Sequence, residues 1–355
     1  MKYVATKAAK RMETYRVRHD SHSEQPCLLL PISFGVSSTT LLYLLDTQLK
    51  SQSERTNRTG YRLHVVHVDI STKETKSSET EALFKSLKER FPGHAYTYIP
   101  LADIYNEEHA HAVLPLEGPP LSVIYSGTST NLAKLQRLMS TLPSASSSLD
   151  ITGILKSHLL VDLAKKKGCQ SIVWGHSTTR LAERTLAETA KGRGFSLPWQ
   201  VLDGASSAGI PFNYPLRDLL RKELSTYSTL TDSPLTHLIL SRPSSVRASA
   251  SARNTTIDDL MADYFGSVEE NFPSIVANVV RTSGKLKPAP AAKAQLVCAL
   301  CGMNTTQESL GLHGWGGDQE SNPAKYWSSE AGRPLDQLCY GCARATLGMK
   351  RVQGP

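Results

Sequence analysis

The chain has 355 residues, of which 40% are hydrophobic and 20% charged, the composition of a soluble globular protein with one large or two smaller domains. No run reaches the roughly 18 uncharged apolar residues of a membrane span, and no apolar signal-peptide core follows Met1. These absences exclude a membrane protein and predict a cytosolic or nuclear location. A net charge of +8 and a pI near 9.1 favour polyanionic partners.

Residues 1–24 are predicted to form a basic helical arm. The first 20 residues carry six basic and two acidic side chains, which is half of the net charge. Read as a helix, the arm has one apolar face: Val4, Ala8, Met12 and Tyr15. One interpretation is a solvated helix that packs on the body, as charge runs usually do. The other is an RNA-facing arm, whose contacts would be Lys7, Lys10 and Arg11. A mitochondrial transit peptide is disfavoured by Glu13 and by the lack of serines before Ser21.

The next segment has the layout of an anion-binding turn. An apolar strand at 28–32 runs into a turn of mostly small residues at 33–38, which opens a helix with leucines on its buried side. Free backbone N–H groups and the helix dipole converge at such a turn. The candidate anion ligands are Ser33, Gly35, Ser37 and Ser38. The alternative is an ordinary strand-to-helix turn with a serine cap.

Strands and helices continue to alternate, which predicts a doubly wound parallel sheet in an α/β domain over 25–245. Ligands of such sheets bind at the carboxyl ends of the strands. The predicted strands lie at 61–70, 95–101 and 170–175. The predicted helices lie at 77–90, 152–167 and 214–228, with another after the turn at Gly175 and His176. The Ser/Thr-rich stretch 125–149 is interpreted as a mobile loop or connector, and His176 as a turn residue held by hydrogen bonds.

A helical extension at 246–287 is predicted to follow this domain. The low-complexity linker at 241–254 spans the boundary between the two. The extension opens with a capping signal, Thr256 followed three residues later by Asp259. A Pro/Ala-rich hinge then leads to a cysteine module at 288–355.

Four of the six cysteines form two CxxC pairs: Cys298 with Cys301, and Cys339 with Cys342. In a reducing compartment such pairs indicate a metal rather than disulfides. Four thiolates suit a closed, tetrahedral structural Zn²⁺ site of the zinc-ribbon type. The 37-residue spacer is longer than the usual 15–20 or so residues, and it contains its own turn-rich insert. Cys27 and Cys169 are interpreted as buried small apolar residues.

Three segments together carry a family resemblance. SFGVSS resembles the SGGxDS loop of PP-loop ATP pyrophosphatases, GHSTTRLAERTL resembles their second motif, and NFPSIVANVVRTSGKL precedes the CALC and CYGC knuckles. On these segments the chain resembles the cytoplasmic tRNA 2-thiolation protein 2 family. The resemblance implies a PP-loop (adenine nucleotide alpha hydrolase) fold and a role in 2-thiolation of the wobble uridine of tRNAs for Lys, Glu and Gln.

The same resemblance implies a lost active site. Phe34 replaces the first glycine of the loop, Ser37 replaces its aspartate, and Thr179 and Arg180 stand where the second motif has acids. Gly175 and His176 remain. The active relatives carry cysteines in the middle of the domain, whereas residues 125–167 contain none. A sulfur-transfer enzyme needs a thiolate or bound sulfide, so the expected role is that of a non-catalytic subunit.

The implied partners are a catalytic PP-loop paralogue in a heterodimer, tRNA, and a thiocarboxylated ubiquitin-like sulfur carrier that acts through the complex. ATP is expected on the partner subunit rather than on this chain. Two alternatives remain open. One is an autonomous ATP-dependent tRNA sulfurtransferase in which another acid, such as Asp69, substitutes. The other is a zinc-dependent interaction scaffold unrelated to tRNA.

Overall fold

The computed structural model describes residues 2–16, 25–72, 78–106, 109, 113, 130–231, 233–240, 255–288, 296–306 and 337–349. The strands are β1 (Cys27–Pro31), β2 (Arg62–Asp69), β3 (Ala95–Pro100), β4 (Cys169–Val173), β5 (Phe212–Asn213), β6 (Leu296–Val297) and β7 (Asn304–Thr305). The helices of the first half are α1 (Lys2–Arg11), α2 (Val36–Thr56), α3 (Ser78–Arg90), α4 (Asn131–Thr141) and α5 (Ala145–Lys166). Those of the second half are α6 (Thr178–Ala190), α7 (Leu197–Gln200), α8 (Arg221–Leu230), α9 (Ile257–Asn271), α10 (Pro273–Ser283) and α11 (Tyr340–Thr346).

Five parallel strands form the central sheet in the order β3-β2-β1-β4-β5. The chain order reverses direction between β1 and β4, so the turns that follow these two strands meet at the switch point of the sheet. This arrangement confirms the doubly wound α/β fold and brings the turn at 33–38 next to Gly175.

Side chains of β1 alternate between two apolar layers, one on each side of the sheet. Leu29 packs in one cluster with Ile172, whereas Leu28 and Leu30 pack in the other. All three leucines are fully buried. Alternation of this kind follows from the two-residue period of a strand, and burial on both faces explains the continuous apolar run of β1.

The interpretation of 125–149 as a loop is wrong for the part of it that the structure describes. Helix α4 and the first turn of α5 occupy most of 131–149. The Thr130 side chain accepts from the N–H of Ala133, and Ser144 accepts from that of Ser147, so both hydroxyls cap helices. Ser and Thr serve equally well in loops and at N-caps, which is why composition alone misassigned the segment.

The helix predicted at 214–228 begins only at Arg221. The backbone first makes successive turns, with Arg217 N–H bonded to the Tyr214 carbonyl and Leu219 N–H to that of Leu216. The Glu223 carboxylate then accepts from the N–H of Leu220, which marks the start of α8. Strand β5 precedes these turns and has two residues, too few for a period-2 pattern to reveal.

The helical extension begins with the predicted capping box, in which Thr256 and Asp259 bond each other's backbone N–H groups. Helices α9 and α10 pack against α6. The linker 241–254 lies outside the described residues, as does most of the hinge. The bounds of the four predicted domains therefore stay predictions. Within the described ranges, no helix combines the length and apolarity needed to cross a membrane.

Candidate functional site

The turn after β1 keeps the backbone of a glycine-containing loop but fills it with a side chain. Phe34 has φ 55°, in the left-handed region that favours glycine. Its ring is fully buried and lies 4.7 Å from the His67 ring, centroid to centroid. Burial of the ring offsets the strain of this backbone, so the packing of Phe34 stabilises the conformation of the turn.

The serines of the turn bond one another. The Ser38 hydroxyl accepts from the Ser33 N–H at 3.3 Å, donates to the Gly35 carbonyl at 3.2 Å, and lies 3.2 Å from the Ser33 hydroxyl. Gly35 rather than a serine is the N-cap of α2, and no side chain caps the helix. The alternative interpretation, an ordinary turn with a serine cap, is therefore wrong about the cap. The first-turn N–H groups keep the capacity to bind an anion, while Ser37 supplies no carboxylate for Mg²⁺.

Gly175 and His176 follow β4 and lie against this turn. A Cβ placed on Gly175 would lie 2.7 Å from the Ser38 Cα, so only glycine fits the approach. His176 stacks between Trp174 and Tyr214, at centroid distances of 5.4 and 5.6 Å. Its Nδ1 is buried and has no hydrogen-bond partner among the described residues, so the expectation of a fully bonded histidine is wrong for this atom.

Electrostatics keep His176 neutral. Burial lowers its pKa well below the ordinary value, and the neighbouring cations Arg184, Arg180 and Lys156 lower it further. A neutral imidazole surrounded by positive charge is a poor proton acceptor. The residue therefore has the properties of a hydrogen-bonding group rather than of a general base.

Asp69, the acid that an autonomous enzyme would recruit, is already engaged. It ends β2 and is 6% exposed. One carboxylate oxygen accepts from the Tyr98 hydroxyl at 2.7 Å and the other from the Ser71 N–H at 2.9 Å. Burial raises the pKa of Asp69, but these hydrogen bonds outweigh burial and the net pKa is lowered. The carboxylate is ionised and held between Tyr98 of β3 and the backbone that follows β2.

The arm packs on the body through its predicted apolar face. Val4, Ala8 and Met12 are buried. The cationic side chains beside them contact the body as well: Lys7 Nζ donates to the Asp218 carbonyl at 3.1 Å, and Arg11 pairs with Asp203 and Asp218 at 3.1 and 2.7 Å. Lys10 is exposed. The contacts match the packing interpretation, and the RNA contacts of these three residues stay a prediction.

The structure brings the four predicted metal-ligating cysteines together. Cys298 and Cys301 lie in the turn between β6 and β7, whereas Cys339 and Cys342 lie at the start of α11. Their four Sγ atoms all lie within 4.8 Å of one another, and three of the four residues are buried. The neighbouring thiols of Cys301, Cys339 and Cys342 hold the pKa of Cys298 well below its usual range.

This donor set fits a metal ion. Four sulfurs converging from two knuckles supply a closed tetrahedral shell with no position left for a reacting water. The Cys339 N–H donates to the Cys298 sulfur at 3.2 Å, the kind of bond that holds a ligand thiolate in place. The insert between the two knuckles, 307–336, lies outside the described residues.

A buried ion-pair network, missed by sequence reasoning, lies where the cysteine module packs on the body. Lys191 and Arg193, just after α6, pair with carboxylates from three other positions: Asp150, Glu188 and Asp258. The Tyr340 ring packs on Gly192, where a Cβ would lie 2.3 Å from it. The sequence signal, a KGRG turn, does not identify its partners because they come from distant segments.

Comparison with known proteins agrees with this architecture. The family model described as cytoplasmic tRNA 2-thiolation protein 2 matches residues 256–344. The protein of that name from Pyrenophora tritici-repentis is 44% identical over 97% of this chain and 88% of its own length. The one from Phaeosphaeria nodorum is 46% identical over 97% of this chain and 87% of its own length.

Among solved structures, the U34-tRNA thiolase NcsA from Methanococcus maripaludis, determined with its 4Fe-4S cluster, has a similar fold. The TM-score is 0.53 at 13% identity, over 86% of this chain and 83% of the thiolase. At this identity the likeness concerns the fold, and it confirms the PP-loop-type sheet inferred from the sequence. The two fungal relatives are 44% and 46% identical and match 97% of this chain. The protein therefore belongs to the cytoplasmic tRNA 2-thiolation protein 2 family.

Proposed function

We propose that this chain is the non-catalytic subunit of a cytoplasmic complex that 2-thiolates the wobble uridine of tRNAs for Lys, Glu and Gln. Family membership supports the thiolation role. The observation that carries the non-catalytic role is the turn at 33–38. It keeps the loop's backbone, yet Phe34 fills it and Ser37 leaves it without an acid.

In this proposal the chemistry belongs to an intact PP-loop paralogue, which forms a heterodimer with this chain and binds ATP. The sulfur comes from a thiocarboxylated ubiquitin-like carrier that docks on the complex. Two features of this chain support the division of labour. Asp69 is committed to Tyr98 and Ser71, and none of the six cysteines lies in 125–167. Sulfur transfer needs a thiolate or bound sulfide near the substrate.

The metal in this proposal is Zn²⁺, held by Cys298, Cys301, Cys339 and Cys342. The ion would close the module and provide no reaction step, because a Cys₄ shell leaves no open coordination position. The packing of the Tyr340 ring on Gly192, between Lys191 and Arg193 of the ion-pair network, would then fix the closed module on the α/β body.

The direct test is mass spectrometry of wobble uridines in a strain that lacks this protein. Deletion should abolish 2-thiolation, and the wild-type gene should restore it. A gene carrying Ser37→Ala should restore it equally well. Normal thiolation in the deletion strain would contradict the proposed function, whereas failure of Ser37→Ala alone would contradict only the non-catalytic role.

Binding of tRNA is proposed to use phosphate contacts, which carry little sequence information. Lys10 is the arm residue best placed for them, since Lys7 and Arg11 contact Asp218. Lys10→Glu should weaken tRNA binding by the heterodimer and flatten its salt dependence, because fewer counterions are released. Unchanged affinity and salt slope would leave the arm as a packing helix.

A further inference from the structure

A cavity of about 310 Å³ lies beyond the carboxyl end of β4, between α5, α6 and the cysteine module. Its volume is at the lower end of the range of roughly 300–1,000 Å³ that ligand pockets span. Trp174 and His176 lie on its wall, and Cys301 and Met303 contribute from the module. The cavity is separate from the turn at 33–38, none of whose residues lines it.

The cations around this cavity divide into two groups. Lys191 and Arg193 are neutralised by the three carboxylates of the ion-pair network. Lys156 and Arg184 form no ion pair within 4 Å among the described residues. Arg184 donates to the neutral Gln200 amide oxygen and acts on the Glu188 carboxylate only at longer range, where it lowers that group's pKa. Arg180 pairs with Glu183, a carboxylate that it shares with Arg221.

This charge arrangement is costly without an anion. Burial lowers the pKa of Lys156, and the nearby Arg180 lowers it further. Both side chains are cations, and like charges in a partly buried site repel each other. A bound anion would relieve this repulsion and accept charge-assisted hydrogen bonds from the ammonium and guanidinium groups.

Two buried polar atoms on the same wall are also unsatisfied. Trp174 Nε1 and His176 Nδ1 have no hydrogen-bond partner among the described residues. A buried unpaired donor costs free energy that a ligand can recover. The His176 ring is covered on its two faces by Trp174 and Tyr214, so of these two residues it is Trp174 that offers a flat surface of the kind on which nucleic-acid bases stack.

We propose that this cavity binds a nucleotide, with its phosphate on Lys156, Arg180 and Arg184 and its base beside Trp174 and His176. The nucleotide is either free or part of an RNA strand, since both present the same phosphate and base. The site lies within this chain, so it can be tested on the chain without the partner subunit, independently of the thiolation role.

The test is calorimetric titration of the full-length, metal-loaded chain with uridine 5′-monophosphate, and with uridine to isolate the phosphate. The monophosphate should bind about tenfold more tightly than the nucleoside, because hydrogen bonds to charged groups are the stronger ones. Lys156→Gln combined with Arg184→Gln should weaken monophosphate binding by about tenfold or more, without changing metal content. The matched control is Arg58→Gln combined with Lys165→Gln, two exposed positions away from the cavity, which should bind as wild type.

Leu149→Glu provides a second variant that spares the buried groups, since Leu149 is a 42% exposed rim residue. Its added negative charge should also weaken binding of the monophosphate. The proposal is overturned if the wild-type chain binds monophosphate no better than nucleoside, or if both cavity variants bind as the control does.

The two sources are distinguished by competition with a fluorescent anticodon stem–loop. If the monophosphate displaces the RNA from wild type but not from the double variant, the nucleotide belongs to RNA. If the monophosphate binds without displacing the RNA, the nucleotide is free. Either result upholds the site and identifies its occupant.

Discussion

The cysteine cluster and the turn at 33–38 are both built on tight turns, yet they retain their ligand groups to different degrees. All four cysteines are present and converge within 4.8 Å. The turn keeps its backbone path and its contact with Gly175, but Phe34 occupies its interior. A metal shell fails when one donor is missing, whereas a strand-to-helix turn can lose its ligand and persist as a packing element. The cysteine module therefore depends on all four sulfur donors, whereas the turn depends on how its residues pack.

The largest effect is expected from breaking the metal shell. Cys298→Ser should reduce bound metal from about one ion per chain to near zero, because a four-thiolate site loses its closed tetrahedron. Elemental analysis of protein purified without chelator would measure this. The segment after 296 should become sensitive to protease while the α/β domain stays folded. Cys27→Ser, at a cysteine outside the cluster, should leave the metal in place.

The next effect tests whether the turn depends on shape. Gly175→Ala should destabilise the fold by about 1–3 kcal/mol, because its Cβ would meet the Ser38 backbone at 2.7 Å. Urea unfolding with metal bound would measure the loss. Gly153→Ala, in α5 with no atom within 4 Å of its Cβ, should instead stabilise by about 0.5–1 kcal/mol. Equal stability of the two variants would contradict the shape argument.

A smaller effect concerns the helix behind the turn. Asp46 of α2 accepts from His94 at 3.1 Å and pairs with Lys50 at 2.8 Å. Burial raises the pKa of Asp46, but these two partners outweigh burial and the net pKa lies below the ordinary 3.8. A lowered folded-state pKa contributes stability above the unfolded-state value, and this is lost as pH falls through the lower folded-state pKa.

Asp46→Asn should therefore destabilise the protein by about 1–2 kcal/mol at neutral pH, and by progressively less as the pH falls below about 4. Unfolding curves of both proteins across this range would show the gap closing. A gap that stays constant with pH would show that the charge of Asp46 contributes nothing.

The smallest effect is expected at Ser37. Its replacement by alanine should leave wobble thiolation close to the wild-type level in vivo, because the hydroxyl caps no helix and cannot replace a carboxylate toward Mg²⁺. Quantification of thiolated uridine in the complemented strain would measure it. Thiolation as low as in the deletion strain would show that the turn takes part in catalysis.

Much of this architecture was predictable because its signals are local. The spacing of the CxxC pairs predicts the four cysteines that the fold brings together, and the alternation of strands and helices predicts the sheet. Helix α4 was missed because Thr130 caps it with a residue type that is also common in loops. The partners of Lys191 were not predictable, since Asp150 and Asp258 lie more than 40 residues away on either side. The burial of the Phe34 ring was not predictable either, because it packs against His67, a residue of β2 that lies near it only in the folded sheet.

The close approach of Gly175 to Ser38 also affects how genomes are read. A sequence search that scores the glycine and histidine after β4 counts Gly175 as a motif residue. In this fold the glycine is required by the distance between two backbones, whether or not a nucleotide is ever cleaved. A pattern search that counts it as a catalytic residue would report an enzyme from what is a steric requirement. Packing does not demand the acidic positions of the motif, so these positions carry more information about activity than the glycine does.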